Sequence, residues 1–392
     1  MMKMKRFCIA VALVLCFLVP AVPARADDNT SAAILESVFM LGYTLASPAI
    51  AYPLALNATV WDTLVNTLCP TVSSVEEQLR QIALKKAPNL NPAATVPHPE
   101  LVDNKYFANT YSQVISFGDS MSDNGNMYAI GMKLANWGVP MPPNVGGRFT
   151  NGPVVLEIMS YILNVPLLNY AFGGAMSGYD SLIPAYGFSI GMNTEVDDFI
   201  GNLGLFKSAD SKALYVIWTG PDDFYKGVNM FNAKTVSTVT SNINSAMIKL
   251  YKKGARNFFI PLMPDLSITP AARIHDTLTT GYLTAAHQRS SDLATSLTAM
   301  LKSFAKQYPL SKVRTFDTYT ALTAEKQTYE AMGGYNVTDS CYDPPFMGLP
   351  GPVCSDPEHY LFWDENHPTA WVSRLIGERF ANAAVGAALP SR

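Results

Sequence analysis

Two short stretches far apart in the chain carry side chains that could work as one nucleophilic site: FGDSMSDNGN at residues 117–126 and FWDENHPT at residues 362–369. Residues 113–117 form a β-branched and aromatic run that reads as a strand, and Gly118 with Asp119 break it, leaving Ser120 at a strand-to-loop exit. A serine in that place projects its hydroxyl at the end of a sheet, and its own backbone N–H stays free to stabilise an oxyanion. At the other end, Asp364 precedes His367 by three residues. A carboxylate that close can reach the imidazole from the same turn, fix its tautomer and stabilise the imidazolium formed when it takes the serine proton. The chain has five histidines, and the other four have less suggestive settings. His98 lies in a proline-rich link, His275 and His287 in a helical pattern, and His359 just after Asp356, Pro357 and Glu358. Taken singly, each block also has a bland reading: Gly-Asp-Ser is an ordinary turn, and His367 an ordinary loop histidine before a proline.

Two further blocks stand between them, GGRFTNGPV at residues 146–154 and NYAFGGA at residues 169–175. In this order, over residues 114–380, the blocks resemble a GDSL-type serine hydrolase of the SGNH superfamily, and more closely its branch of secreted bacterial phospholipases and glycerophospholipid:cholesterol acyltransferases. The resemblance implies that Ser120 is the nucleophile, His367 the general base and acid, and Asp364 the residue that orients His367. It also implies an oxyanion hole made by the backbone N–H groups of Ser120 and Gly174 and a side-chain amide from a later Gly-x-Asn-Asp block. That block departs from the pattern: residues 215–225 read YVIWTGPDDFY, so Asp222 stands where the amide is expected. An ionised carboxylate repels a developing oxyanion, and a lost donor costs roughly 3 to 4 kcal/mol. Asp222 is either protonated, turned aside, or a handicap; the expectation is an active enzyme with an imperfect hole.

By the same resemblance the substrate is a phospholipid or lysophospholipid acyl ester, the acceptor is water or a sterol hydroxyl, no cofactor is needed, and contact with a membrane surface is transient. Two other functions stay open. One is a carboxylesterase acting on acetylated carbohydrate or on esters in general. The other is a catalytically weak lipid binder on the same scaffold, for which Asp222 is the one supporting feature. In the glycine-arginine block, Arg148 reads as a tie between loops in preference to a phosphate ligand, with Gly146, Gly147 and Asn151 around it. Asp119 and Asn124 read as braces of the nucleophile loop.

The elements that must position these groups read as α/β. Buried strands fit residues 215–218, 257–261 and 313–316, and helical patterns fit 153–163, 236–253, 282–308 and 369–388. Gly254 supplies a left-handed cap to the second helix. Strands alternating with helices predict a three-layer sandwich with a mostly parallel sheet, whose ligands bind at the carboxyl ends of the strands; the resemblance implies the SGNH hydrolase or flavodoxin-like kind. Ser120, Gly174 and Asp222 each follow a short apolar run, as that rule requires.

Composition sets the surroundings. A net charge of −3 and 15% charged residues leave no basic field for nucleic acid, and 48% hydrophobic residues are ample for a core. Residues 1–26 read as a secretory signal peptide: Lys3, Lys5 and Arg6, then an apolar run over 7–19, then Ala24-Arg25-Ala26. The expected location is therefore secreted, extracellular or periplasmic, and the resemblance implies a bacterial source. Residues 27–110 read as a small helical N-terminal extension that packs on the hydrolase domain, with a mobile propeptide as the alternative; residues 111–392 are expected to form the hydrolase domain. Without the leader, Cys69, Cys341 and Cys354 remain. In an oxidising compartment Cys341 and Cys354 are the natural pair, a closure worth roughly 3 kcal/mol in the chain-entropy model; the competing reading gives Cys69 one of them as partner. The closed loop, CYDPPFMGLPGPVC, ends ten residues before Asp364 and is expected to act as a lid. Neither the cysteine spacings nor the histidines suit a metal.

Overall fold

The computed structural model describes residues 110–135, 138–182, 189–204, 207–344 and 350–386. The leader, Cys69 and the N-terminal extension other than Thr110 lie outside the described residues.

Five short strands form one parallel sheet: β1 (Val114–Gly118), β2 (Leu167–Asn169), β3 (Leu214–Trp218), β4 (Asn257–Phe259) and β5 (Lys312–Arg314), in the order β2-β1-β3-β4-β5. Every residue of β1 and β3 is buried, which is why these runs are mainly apolar instead of alternating with polar residues; the one polar side chain that is only a hydrogen-bonding group, Ser116, donates to Asn169. Side chains still alternate between faces. Ile115, Phe117, Tyr215 and Ile217 enter one core with α3 (Met192–Leu203), α5 (Lys234–Lys253) and α7 (Tyr282–Gln307). Val114, Leu214, Val216 and Trp218 enter the other with α2 (Val155–Ile162) and α9 (Ala370–Val385). Helices thus cover both faces of a parallel sheet. The α2 and α9 axes approach closely because Gly377 has no side chain; a Cβ there would lie 2.7 Å from the Cβ of Ile158.

The chain leaves β1 for β2 on one side and continues from β3 to β5 on the other, so the order reverses between β1 and β3. That is the crevice where open parallel sheets bind ligands. Gly118 and Trp218 are register partners at its floor. A Cβ on Gly118 would sit 2.1 Å from the Trp218 carbonyl oxygen, so only glycine permits this approach.

The remaining elements are α1 (Asn126–Ala135), the short α4 (Pro221–Tyr225), α6 (Pro270–Leu278), α8 (Thr318–Met332) and a separate parallel pair, β6 (Asn336–Ser340) with β7 (Tyr360–Phe362). Gly254 closes α5 at φ 120°, its N–H directed at Leu250 O and Tyr251 O.

Candidate active site

Ser120 follows β1 by two residues, and Asp364 follows β7 by two. Ser120 Oγ lies 2.7 Å from His367 Nε2, and His367 Nδ1 lies 2.8 Å from each carboxylate oxygen of Asp364. The geometry suits a hydroxyl that donates to a neutral Nε2 while Nδ1–H donates to the carboxylate. Asp364 is itself fixed, since its Oδ1 also accepts the backbone N–H groups of Asn366 (2.9 Å) and His367 (2.8 Å). Asp364 and His367 are both buried, and the Phe149 ring stacks on the imidazole at 5.2 Å. Burial works against a charged imidazole, but Asp364, with smaller help from Asp119 and Glu365, outweighs it and holds His367 above its usual range.

The glycine-arginine block builds the seat for this loop. Arg148 makes a buried two-point pair with Glu157, Nε at 2.7 Å and Nη2 at 2.6 Å, and also donates to the carbonyls of Val145 and Gly146. Arg148 is therefore a tie between loops and α2. Thr150 Oγ1 donates to Pro368 O at 2.9 Å, and Asn151 Oδ1 accepts Ala370 N–H at 2.7 Å, which pins the turn that carries His367.

The loop after β1 is joined to the loop after β2 by side chains. Asn169 Nδ2 donates to Ser122 O (2.6 Å) and Asn124 Oδ1 (2.8 Å), while its Oδ1 accepts from Ser116 Oγ (2.7 Å) and Ala171 N (3.0 Å). Asp123 accepts four backbone N–H groups: Gly125, Asn126, Met127 and, from the other loop, Gly173 at 2.8 Å. Asp119 braces its own loop through Met121 N–H at 3.0 Å. Beneath them Glu195 accepts Gly118 N–H at 2.8 Å. On the far side Asp223 accepts from Ser177 N (2.7 Å) and Ser177 Oγ (2.8 Å), tying the Gly174 loop to α4. Asp123, Asn169 and Glu195 are absent from the residues singled out by sequence, and the tie from Asp223 to Ser177 is not visible there. A turn aspartate and a loop-crossing one look alike until the second loop is placed.

Ser120, Gly174 and Asp222 line one pocket, walled by apolar side chains that include Met121, Met127, Val139, Phe149, Leu182 and Ile268. Among the described residues no protein acceptor takes the backbone N–H of Ser120 or Gly174. Asp222 is 6% exposed, and its Oδ2 has no hydrogen-bond partner. Burial pushes its carboxyl well above the usual range, and the charges of Asp119 and Asp223 push it further. Burial also raises Asp119 to about 7 and Asp223 to about 6.

Cys341 and Cys354 are joined by a disulfide. The loop is anchored on the approach to Asp364: Cys341 N–H donates to Phe362 O, Tyr342 N–H to Trp363 O, and the Tyr342 ring stacks on buried Trp363 at 5.2 Å. Residues 345–349, the part on which a lid would depend, lie outside the described residues. Of the other histidines, His359 pairs with exposed Asp356, His275 stacks on Tyr282, and His287 Nδ1 meets Asp265 Oδ2 at 2.7 Å.

A family model described as GDSL-like Lipase/Acylhydrolase matches residues 114–380. Thermolabile hemolysin of Vibrio parahaemolyticus is 25% identical over 294 residues, covering 70% of this chain and 64% of that protein. Phosphatidylcholine-sterol acyltransferase of Aeromonas hydrophila is 30% identical over 167 residues, covering 42% of this chain and 48% of that protein. The chain spans less than two thirds of the length of either relative. A crystal structure of a member of the lipolytic protein G-D-S-L family from Veillonella parvula aligns with 68% of this chain and 94% of its own, at 15% identity and a TM-score of 0.35.

Proposed function

Because the chain belongs to the GDSL-like lipase/acylhydrolase family, we propose that it is a serine ester hydrolase and acyltransferase that cleaves the acyl ester of phospholipids or lysophospholipids, with water or a sterol hydroxyl as acceptor. The observation that carries this reading is the hydrogen-bonded series from Ser120 Oγ through His367 to Asp364, set in a pocket with apolar walls. Ser120 Oγ attacks the ester carbonyl while His367 Nε2 takes its proton, and the carbonyl oxygen, now an oxyanion, lies against the Ser120 and Gly174 N–H groups. His367 returns the proton to the leaving alcohol. Water or an acceptor hydroxyl then attacks the acyl-enzyme, with His367 again as base.

The two relatives named for haemolysis and for phosphatidylcholine-sterol acyl transfer support a lipid substrate. Surface features agree. Past pocket residue Tyr225 the chain exposes Val228 and Phe231, and past pocket residue Thr269 it exposes Ile274 and Leu278. Phe231 and His275 both meet the ring of Tyr282, so these segments adjoin beside the pocket, in keeping with transient contact with a lipid surface. The reading also places the protein outside the cytoplasm, where a Cys341–Cys354 disulfide persists. No helix among the described residues is long and apolar enough to cross a membrane.

The test is to incubate the protein with phosphatidylcholine or lysophosphatidylcholine vesicles, with and without cholesterol, and with an acetylated sugar, measuring fatty acid, cholesteryl ester and acetate. Fatty acid release is expected, with cholesteryl ester when cholesterol is present, and Ser120→Ala or His367→Ala should lower it by about 10⁴-fold or more. Acetate without fatty acid overturns the lipid assignment, and release that survives Ser120→Ala overturns the mechanism.

A further inference from the structure

The side-chain position of the oxyanion hole holds an acid, and its surroundings indicate in which form it works. Asp222 lies in the first turn after β3, beside the β1 exit, and lines the pocket together with Ser120 and Gly174. Its Oδ2 is buried and unpartnered. Every group that acts on its charge is another acid: Asp119 from the β1 loop and Asp223 from its own helix. The groups around these are Tyr225 on α4, Lys226 just after it with its partner Asp180, Asp123 on the β1 loop, Glu195 on α3, Asp265 after β4, and Glu365 and His367 on the loop before α9. Of these only His367 and Lys226 can carry a positive charge; His367 is engaged by Asp364 and Lys226 by Asp180. Arg148, the buried cation on this side of the molecule, is spent on Glu157. An ionised Asp222 would thus be a buried anion with neither donor nor counter-charge, a state that burial strongly disfavours. As a neutral acid it carries one O–H, the polarity that an oxyanion needs.

We propose that Asp222 acts in catalysis as a neutral carboxylic acid whose O–H is the side-chain donor to the oxyanion, and that its ionisation switches the enzyme off. The inference rests on the reading of Ser120 and His367 as an ester-cleaving pair. When the Ser120 Oγ–carbon bond forms, the carbonyl π-electrons move to oxygen, the serine proton goes to His367 Nε2, and Asp222 keeps its own proton while hydrogen-bonding the oxyanion. Collapse of the intermediate returns those electrons to the carbonyl and expels the alcohol with the proton from His367. Asp222 undergoes no net change. Asp119 is a positioning residue here: its charge keeps the Asp222 proton in place. A carboxyl held neutral by an apolar, like-charged site is an established means of stabilising an oxyanion at neutral pH.

The pH dependence has two limbs of separate origin. His367 must be neutral to accept the serine proton, which sets the acid limb; Asp222 must be protonated, which sets the alkaline limb. The experiment measures kcat/KM for a short-chain neutral ester against pH for the parent, Asp222→Asn, Asp222→Ala and Asp119→Asn, with circular dichroism at each pH to monitor folding. In parallel, the carboxylic-acid C=O stretch is read from the infrared difference between parent and Asp222→Asn at neutral pH.

The parent should fall about tenfold per pH unit on its alkaline side. Asp222→Asn should lose that limb and keep the acid one, Asp222→Ala should be about 100-fold slower throughout, and Asp119→Asn should move the limb to lower pH. The infrared band should be present. A parent without an alkaline limb, the same limb in Asp222→Asn, or no band at neutral pH overturns the proposal while leaving the ester-hydrolase reading standing. A parent that is folded and cleaves no ester overturns that reading and, whatever the band shows, the donor role with it.

Discussion

Replacing Asn169 by leucine is expected to loosen the two loops that carry Ser120 and Gly174 together. The side chain is fully buried and uses all of its hydrogen-bonding capacity on Ser122 O, Asn124 Oδ1, Ser116 Oγ and Ala171 N–H. Leucine has the same branched shape with bulkier methyl ends, so it leaves no cavity, and crowding at this fully buried site adds to the loss of the hydrogen bonds. Four buried groups lose this partner at about 1 to 3 kcal/mol each, and even at the low end the sum is about 4 kcal/mol. That is a large share of the roughly 5 to 15 kcal/mol by which a domain is stable, and it lowers Tm by about 8 °C or more. Asn169→Asp sharpens the test. It retains the two acceptor contacts but sets a carboxylate against Ser122 O and Asn124 Oδ1, so it should be destabilised at neutral pH and recover in part at acid pH, where protonation restores one donor. Chemical denaturation gives the free energies, and the labelling rate of Ser120 by a fluorophosphonate reports on the site. A loss below about 1 kcal/mol for Asn169→Leu, or an Asn169→Asp variant equally stable at both pH values, refutes the argument that this amide holds the loops.

Asp364→Asn should leave the fold intact, since the asparagine oxygen can still accept the Asn366 and His367 N–H groups, yet kcat should fall by about 10³ to 10⁴-fold because Nδ1–H loses its anion; a fall under about tenfold refutes the orienting role. Stability should decline as pH rises from about 5 to 8. Burial raises Asp119 to about 7, Asp123 to about 6, Asp223 to about 6 and Glu365 to about 7, and holds Asp222 and Glu195 well above the usual range. A raised folded pKa means that the native state holds a proton which the unfolded chain, titrating near pH 4, has released, so each such group costs up to about 1.4 kcal/mol per pH unit across its window. His367, raised, adds with the same sign; buried His275, lowered, opposes it at the acid end. Thermal unfolding checks this, and a Tm that is flat or rises over that range contradicts it.

How much of this is legible in sequence depends on the range of the interaction. The strands at 114–118 and 214–218 and the helices at 234–253 and 282–307 show in the sequence because their apolar runs or periodic faces are complete within themselves. The edge strand Leu167–Asn169 is three residues long, and the helix Asn126–Ala135 begins inside the glycine- and asparagine-rich nucleophile motif, so neither stands out. Asp364 and His367 are legible as a pair because three residues separate them and the contact is local. Asp223 is not: its partner is Ser177, 46 residues earlier, and nothing near Asp223 in the chain marks the bond. The same holds for Asp123 with Gly173 and for Asn169 with Ser122.

The buried acids at the carboxyl end of the sheet divide by what meets their oxygens, and the division separates structure from chemistry. Both oxygens of Asp123 and of Asp223 accept donors, so their burial is offset by the loops they hold. Glu195 has one bonded and one open oxygen but lies under Gly118, outside the pocket lining. Asp119 and Asp222 each have an open buried oxygen and both line the pocket. Two carboxyls that each turn an unpartnered oxygen to one cavity cannot both ionise cheaply, so one proton is retained between them near neutral pH. Packing alone would not favour this arrangement, since an apolar residue at 222 would be more stable. It becomes intelligible if a negatively charged oxygen occupies the cavity during the reaction, because only then does the retained proton gain an acceptor.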